Sequence, residues 1–527
     1  MAKSFEVEWR ISMAIRMSGM VSGLDTESII QSLMEVQTGK KTKVENKLTK
    51  HEWKQEKWTD LNKKIYNFYT GSLSKLRLQG SFNTKSATSN NENKVKVSAD
   101  SSATNGTNTL QINSLASSQY VTSGKLADVN KNTKLVDLGF KTSSVDENGI
   151  NVEGDVVTIT NGVGDAAKTV ELKVTKDTTV KDFVSALTDA GLNANYDEKQ
   201  GRFFISSTDS GKDNSFTITS NQVGGSSALV NLGLDEIDSN ITDVTGGEGL
   251  SIVTAKDSEI ILNGAKLTSS NNSITANGLT IDLQGVTEPG ETITLKVSND
   301  VDTMYNNVKS LIKEYNELIK EMNELYYAES AKDYDILTDE QKESMSDEEV
   351  EKWEGKIKGA LLRRDSTLGS LLNSMKSAMQ SSVEVDGKKY NLSTFGIQTS
   401  KDYTEKGLLH IYGDEDDETY SGEEDKLKKA LQEDPDGTSK ALAGIFQNLY
   451  TALNDKTKPI EGLKSAMKFY NDKQLTTEKT KYEKEISDWT DKLADLEDRY
   501  YDQFSAMEVA LSKLQSQSSS LSGFFGQ

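Results

Sequence analysis

The chain has 527 residues and a formal charge of −21, from 61 Lys and Arg against 82 Asp and Glu, with a pI near 4.8. That balance argues against nucleic acid and anionic membrane as main partners, since both need dense positive charge. Cysteine is absent, which excludes disulfides and thiolate chemistry, and no run of about 20 apolar residues is present to span a bilayer.

The length suggests roughly three or four domains. Met1, Met13, Met17 and Met20 crowd the start, and residues 1–12 stand outside the pattern that follows. No basic start leads into an apolar run, so no cleavable signal peptide is expected. Asp25 reads as an N-cap with Glu27 in the favourable first turn. Helix is expected toward Leu78, with a break or bend at Gly39 and Gly71. Its apolar stripe is Ile30, Leu33, Val44, Leu48, Trp58, Leu61, Ile65 and Phe68. Gln37, Gln55 and Asn62 fall on or near that stripe, where polar residues set register at some cost in stability. Lys40, Lys41, Lys43, Lys47, Lys50, Lys54 and Lys57 make the helix basic.

After Gly80 the composition turns to Ser, Thr, Asn, Gly and Val, and alternation replaces the helical period. Strands are expected around Val95 and Val97, Leu110 and Ile112, Val157 and Ile159, and Val170 to Val174. One helix interrupts, opened by a capping box at Thr179 and Asp182 and closed at Gly191. A hairpin then turns near Gly201 into Arg202–Ile205, and the glycine-rich residues 224–250 read as a return linker. Strands resume at Ile260, with turns at Asn263–Gly264 and Pro289–Gly290.

At Val301 the helical period returns. Val301, Met304, Val308, Leu311, Tyr315, Leu318, Met322 and Leu325 follow a coiled-coil spacing without a miss. An acidic insertion from Asp339 to Glu354 precedes a helix expected over Leu361–Met379, short strands at 385–412 and helices from Asp425 to Leu453. The last helix carries Tyr482, Ile486, Trp489, Leu493, Leu496, Tyr500, Met507, Ala510, Leu514 and Leu521, again alternating four and three with two gaps. Phe524 and Phe525 lie past it, either anchored in a neighbouring subunit or frayed. A chain that begins and ends in amphipathic helices must pair them with each other or with another chain. The fold class is therefore α+β and multidomain: terminal helices pairing as a coiled coil, a helical bundle, and two central β-rich head domains.

Signals for chemistry are weak. His51 and His410 are the two histidines, and the spacing around His51 lacks the second ligand of a zinc motif, so both are expected to be solvated side chains. Asp128 to Asn132 echoes a calcium loop, but Thr133 replaces the needed glycine and Gly139 the needed glutamate. The run Asp414 to Glu418 reads as a solvated loop, with cation binding the sharper alternative. No phosphate loop and no nucleophile elbow occur, so no enzyme, cofactor or metal site is expected.

The segment Met17-Ser18-Gly19-Met20-Val21-Ser22-Gly23-Leu24-Asp25-Thr26 resembles the opening of the flagellar filament capping protein family, also called hook-associated protein 2. Met13 to Gly19 fits the family's usual start. Gly359–Leu362, Asp365, Ser366, Leu368, Phe395–Ile397, Gly407–Leu409 and the ending Leu514–Leu521 resemble its C-terminal region. Residues 257–297 resemble the small β insert of hook-associated proteins and flagellins. The resemblance covers both ends and only the general style of the region from 125 to 250.

The resemblance implies a ring-like homo-oligomer, a pentamer, at the distal tip of the flagellum, retaining exported flagellin and promoting its folding and insertion. It implies an export chaperone and the type III export apparatus as partners, an extracellular location without a cleavable signal, and contact with host mucin. The expected division is a terminal leg of residues 13–45 and 480–527, and a bundle of 46–82 and 298–479 with a small β insert. A first head takes 83–125 and 251–297, and a second takes 126–250. Two rival readings remain open: a hook–filament junction or filament subunit, and a surface adhesin whose head binds glycans, although no aromatic platform is evident.

Overall fold

The structure, a computed structural model, describes residues 23–145, 147, 151–221 and 227–525. The expectations for residues 1–12 and for Met13 to Ser22 lie outside the described residues, as do the side chains of Phe524 and Phe525. The helices, in chain order, are α1 (Thr26–Thr70), α2 (Ser72–Leu76), α3 (Val180–Asp189), α4 (Val301–Tyr326), α5 (Asp339–Glu343), α6 (Asp347–Gly359), α7 (Ser366–Met379), α8 (Lys426–Glu433), α9 (Pro435–Thr457) and α10 (Asp472–Phe525). The chain divides into two compact units: one runs to Phe82 and resumes at Val301, and the other spans Asn83–Asp300.

The first unit is helical. Asp25 caps α1, its carboxylate accepting from the Ser28 amide at 3.1 Å, with Glu27 in the first turn. Gly39 does not break the helix: α1 runs unbroken for 45 residues, because one interior glycine costs only about 1 kcal/mol. Gly71 does end it. A Cβ there would sit 2.6 Å from the Asn67 carbonyl oxygen, so the close approach admits only glycine.

The stripe of α4 is buried from Met304 to Met322, and Ile312 and Ile319 are buried beside it. That face is wider than a coiled-coil seam, and it makes α4 a core helix of the bundle. It shares one core with Trp58 and Ile65 of α1, Leu372 and Met375 of α7, and Phe446 and Leu449 of α9. The acidic insertion forms α5 and α6, each opened by a capping box, at Thr338 with Gln341 and at Ser346 with Glu349. The helix expected from Leu361 starts later, at Ser366. Arg364 takes a left-handed φ of 52°, and Asp365 caps the helix through the Thr367 and Leu368 amides. The helical run expected from Asp425 splits at Pro435, which opens α9 while the Asp434 side chain accepts from Gly437.

The second unit holds two cores. In the first, a five-stranded sheet is ordered Lys85–Ser89, Ile293–Asn299, Gly106–Ser114, Ser258–Leu262, Ala265–Ser269, and a three-stranded sheet is ordered Ser273–Ala276, Leu279–Leu283, Val95–Ala99. Their inward residues include Val95, Leu110, Ile112, Ile260, Ile281 and Leu295. Asn263 and Gly264 turn the first of these hairpins with φ of 52° and 84°, as the dipeptide dictates.

In the second core, the sheet ordered Ser251–Val253, Tyr120–Thr122, Arg202–Ser206, Asn193–Asp197 and the sheet ordered Phe216–Ser220, Val156–Asn161, Lys168–Lys173 share their interior with α3. The capping box of α3 forms as expected, Thr179 and Asp182 bonding each other's amides. The stretch read as a bare linker contributes Leu229, Leu232, Leu234 and Ile237 to this core. Its glycines hid an apolar set at irregular spacing. Val121 and Ile252 also belong here, so the passage between the two cores precedes Val121 and follows Ile252.

Candidate assembly interface

The two long helices α1 and α10 run antiparallel and face each other over most of the described length of α1. Tyr501 donates its hydroxyl hydrogen bond to Glu27, at 2.9 and 3.0 Å from the two carboxylate oxygens. The Lys40 ammonium lies 5.6 Å from the Trp489 ring centre. Lys479 reaches Glu52 at 2.8 Å, which holds the ammonium above the usual lysine range. The paired residue numbers fall along one helix as they rise along the other, which defines the direction.

The α1 seam is Ile30, Met34, Gln37, Lys41, Val44, Leu48, His51, Gln55, Trp58, Asn62 and Ile65, all buried or half-buried. It alternates four and three without interruption. Of the expected stripe, Ile30, Val44, Leu48, Trp58 and Ile65 belong to it, and Leu61 and Phe68 are buried in the bundle core. Leu33 does not belong. It is 40% exposed and shares an outward flank with Ile29 and Val36, because the step from Ile30 is four, to Met34, not three.

On α10, Tyr482, Ile486, Trp489, Leu493, Leu496 and Tyr500 are half-buried as expected. From Leu496 the seam takes two successive steps of four, to Tyr500 and Phe504, and then steps of three and four to Met507 and Leu511. The inserted step is a stutter, which locally unwinds a left-handed pair. It turns Ala510, Leu514 and Leu521 outward, with Leu514 at 61% and Leu521 at 57% exposure. Phe504 was missed because strict heptad counting lands on Gln503.

The polar seam residues are engaged. His51 is buried, and its Nε2 lies 2.7 Å from the Leu475 carbonyl, which can only accept, so Nε2 carries the hydrogen. Its ring meets Tyr482 edge-on at 5.7 Å, and Nδ1 lies 3.7 Å from Glu478. Asn62 accepts from the Phe469 amide at 2.8 Å, and Trp58 stacks on Tyr470 at 5.5 Å. Here the stalk passes into the bundle.

Burial differs between the two helices. Ile30, Val44, Trp58 and Ile65 of α1 are buried, whereas no apolar side chain described on α10 from Tyr482 onward is fully so. The α10 side of the outer stalk therefore retains apolar surface that a further helix would cover.

Val301, Met304, Val308, Leu311, Tyr315, Leu318, Met322 and Leu325, grouped with these by spacing, instead pack within the bundle core, Val301 and Leu325 at its edge. The six from Met304 to Met322 are buried in this chain and present no surface to a second one. Neither histidine is solvated as expected: His51 fills the seam, and His410 lies between Asp417 and Glu405. The acidic run is not free loop either. Lys309 of α4 lies 2.5 Å from both Asp414 and Asp416. Burial of Asp414 requires such a partner, which the sequence separation concealed. The segment Asp128 to Thr133 is a turn, with the Asn130 side chain accepting from the Asn132 amide. Among the described residues no group of three or more His, Asp or Glu is placed to hold a metal ion, and no helix is long and apolar enough to cross a membrane.

Fold and site thus define a multidomain α+β protein whose distinctive surface is a helical stalk. Family profiles described as "Flagellar hook-associated protein 2 N-terminus" and "Flagellar hook-associated protein 2 C-terminus" match residues 22–119 and 255–516, together about two thirds of the chain. The chain belongs to the flagellar hook-associated protein 2 family. Flagellar hook-associated protein 2 of Halalkalibacterium halodurans is 28% identical over 552 residues, covering 97% of this chain and all of that one. The B-type flagellar hook-associated protein 2 of Pseudomonas aeruginosa is 27% identical, covering 86% of each. A solved structure of the flagellar cap protein FliD D1-D2-D3 domains from Escherichia coli is 19% identical, with a TM-score of 0.48, covering 76% of this chain and 97% of that one.

Proposed function

We propose that the chain caps the distal end of the bacterial flagellar filament, outside the cell, where it retains exported flagellin and promotes its folding and insertion. Family membership supports this role, and the antiparallel stalk is the observation that supplies the mechanism. The chain's part is structural: confinement and exchange of contacts, with no bond made or broken.

The stalk of residues 13–45 and 480–527 docks on the filament end. Its half-buried seam lets contacts be exchanged at modest cost as each flagellin enters, while the bundle of 46–82 and 298–479 stays closed. The heads, residues 83–297, supply the plate of the cap. The working assembly is a closed ring of identical chains, because a heterologous contact must close to avoid a fibre; the family resemblance implies five of them. An export chaperone and the type III apparatus deliver the chain, and host mucin is a contact of the exposed heads.

The test is complementation of a cap-null strain. Deleting residues 13–45 and 485–527 is expected to leave secreted monomeric flagellin and no filaments, although the remaining units fold. Filament growth restored by that truncated chain would refute the stalk mechanism. Closed rings in negative-stain images support the cap; fibres support a filament subunit.

A further inference from the structure

His410 is unusually placed for a residue with no part in the stalk. It lies on the strand Leu409–Ile411, paired in register with Gln398 of Ile397–Thr399. Its Nδ1 is 2.6 Å from an Asp417 carboxylate oxygen and its Nε2 is 2.8 Å from a Glu405 carboxylate oxygen. A neutral imidazole has one N–H and would point a lone pair at one of these carboxylates; only the imidazolium satisfies both. Tyr420 packs against the ring at 4.8 Å and stacks on Tyr412. The Tyr420 amide donates to the Asp417 carbonyl, and the Gly413 amide donates to the Tyr420 carbonyl. Asp417 and Tyr420 therefore organise the loop 412–425, and His410 holds both.

We propose that His410 is a pH-operated clasp, which as the imidazolium ties the Asp417–Tyr420 stretch of the acidic loop 412–425 to Glu405 and on losing its proton lets that stretch go. The loop is also held to α4 by the Lys309 ammonium, which meets Asp414 and Asp416, so loss of the clasp frees the stretch from Asp417 to Tyr420 while the Asp414–Asp416 end stays tied.

The surrounding groups make this clasp the one that responds near neutrality. The loop presents Asp414, Asp416, Asp417 and Glu418, and α4 presents Lys309, Lys313, Glu317 and Lys320. Glu405 completes the set, with Tyr412 and Tyr420 beside the ring. Of these contacts, the Lys309 pair is set away from neutrality, because, against desolvation, Asp414 and Asp416 hold the ammonium above the usual lysine range and Lys309 holds Asp416 below the usual carboxylate range. The Lys309 contacts thus persist while His410 titrates. Desolvation pushes the imidazole down, but Asp417 and Glu405 outweigh it and leave it above its ordinary 6.5. A raised folded value means the contribution is complete below 6.5 and is lost as pH rises through the folded value.

The chain has two histidines, so imidazole NMR of the full-length protein reads each one directly, with His410→Gln assigning the pair. His410 is expected to titrate above 6.5. Amide hydrogen exchange over 412–425, corrected for its intrinsic pH dependence, should lose protection over the same range. His410→Gln should hold the loop at the unprotected level at every pH. Lys309→Met should loosen the loop at every pH yet keep the step. Should His410→Gln fail to fold, Asp417→Asn must lower the His410 titration and flatten the step. An imidazole titrating at or below 6.5, a wild-type loop without a pH step, or a His410→Gln loop as protected as wild type would each overturn the clasp.

Discussion

α4 and α10 carry nearly the same sequence signal and have opposite fates. Both space apolar residues by alternating fours and threes, and α4 does so with fewer gaps. Yet α4 is buried across a broad face, whereas α10 beyond Tyr482 has apolar side chains that are at best half-covered. The difference lies beside the stripe. In α4, Ile312 and Ile319 widen it to a core face. In α10, the residues following Trp489, Leu493 and Leu496 are Thr490, Ala494 and Glu497, all exposed, so the stripe stays narrow. A stripe alone tells that a helix is partnered; its width tells whether the partner is a core or one other helix.

That contrast is tested most severely in the core. Leu311→Ala on α4 empties a fully buried site and should cost about 2–5 kcal/mol. Denaturant unfolding of the helical unit would read it, and a smaller loss typical of a half-covered site would place α4 in the same class as α10. Next comes the junction. Asn62→Ala leaves the buried Phe469 amide without its acceptor and should cost about 1–3 kcal/mol. An unchanged midpoint would mean that the stalk is not anchored there.

Much of this was legible in the sequence because local chemistry decided it. Asp25 capped the helix it was assigned to, the Thr179–Asp182 box formed, and Asn263–Gly264 turned a hairpin. The pairing of the chain ends also followed from their stripes, although a stripe carries no direction and only the contacts show it to be antiparallel. What was hidden left no mark on the apolar periodicity. The α1 seam is continuous in space but interrupted in hydropathy, since Gln37, Lys41, His51, Gln55 and Asn62 occupy seam positions. Counting apolar residues therefore drew Leu33 into the stripe and passed over Met34. His410 looked solvated because its partners, Glu405 and Asp417, come from loops whose return no periodicity marks. Phe504 was lost to an assumed strict heptad.

On the outer stalk the expected effects shrink while their functional meaning grows. Trp489→Ala removes a half-covered ring and its contact with Lys40, and should cost about 1 kcal/mol of unfolding free energy. On the proposed stalk mechanism, filament elongation should fall far more than that figure suggests. Stability and elongation falling together would make the stalk merely structural.

The smallest effect is the sharpest test of the stutter. A strict heptad continued from Met507 puts Ala510 and Leu514 on the seam, whereas the structure puts Leu511 there and turns both outward. Ala510→Gln should therefore change stability by no more than about 0.5 kcal/mol, the range of an exposed helical site. Leu511→Gln buries a polar group in the seam and should cost more. If the ranking is reversed in paired denaturation curves, the heptad runs on unbroken and Phe504 belongs outside the seam.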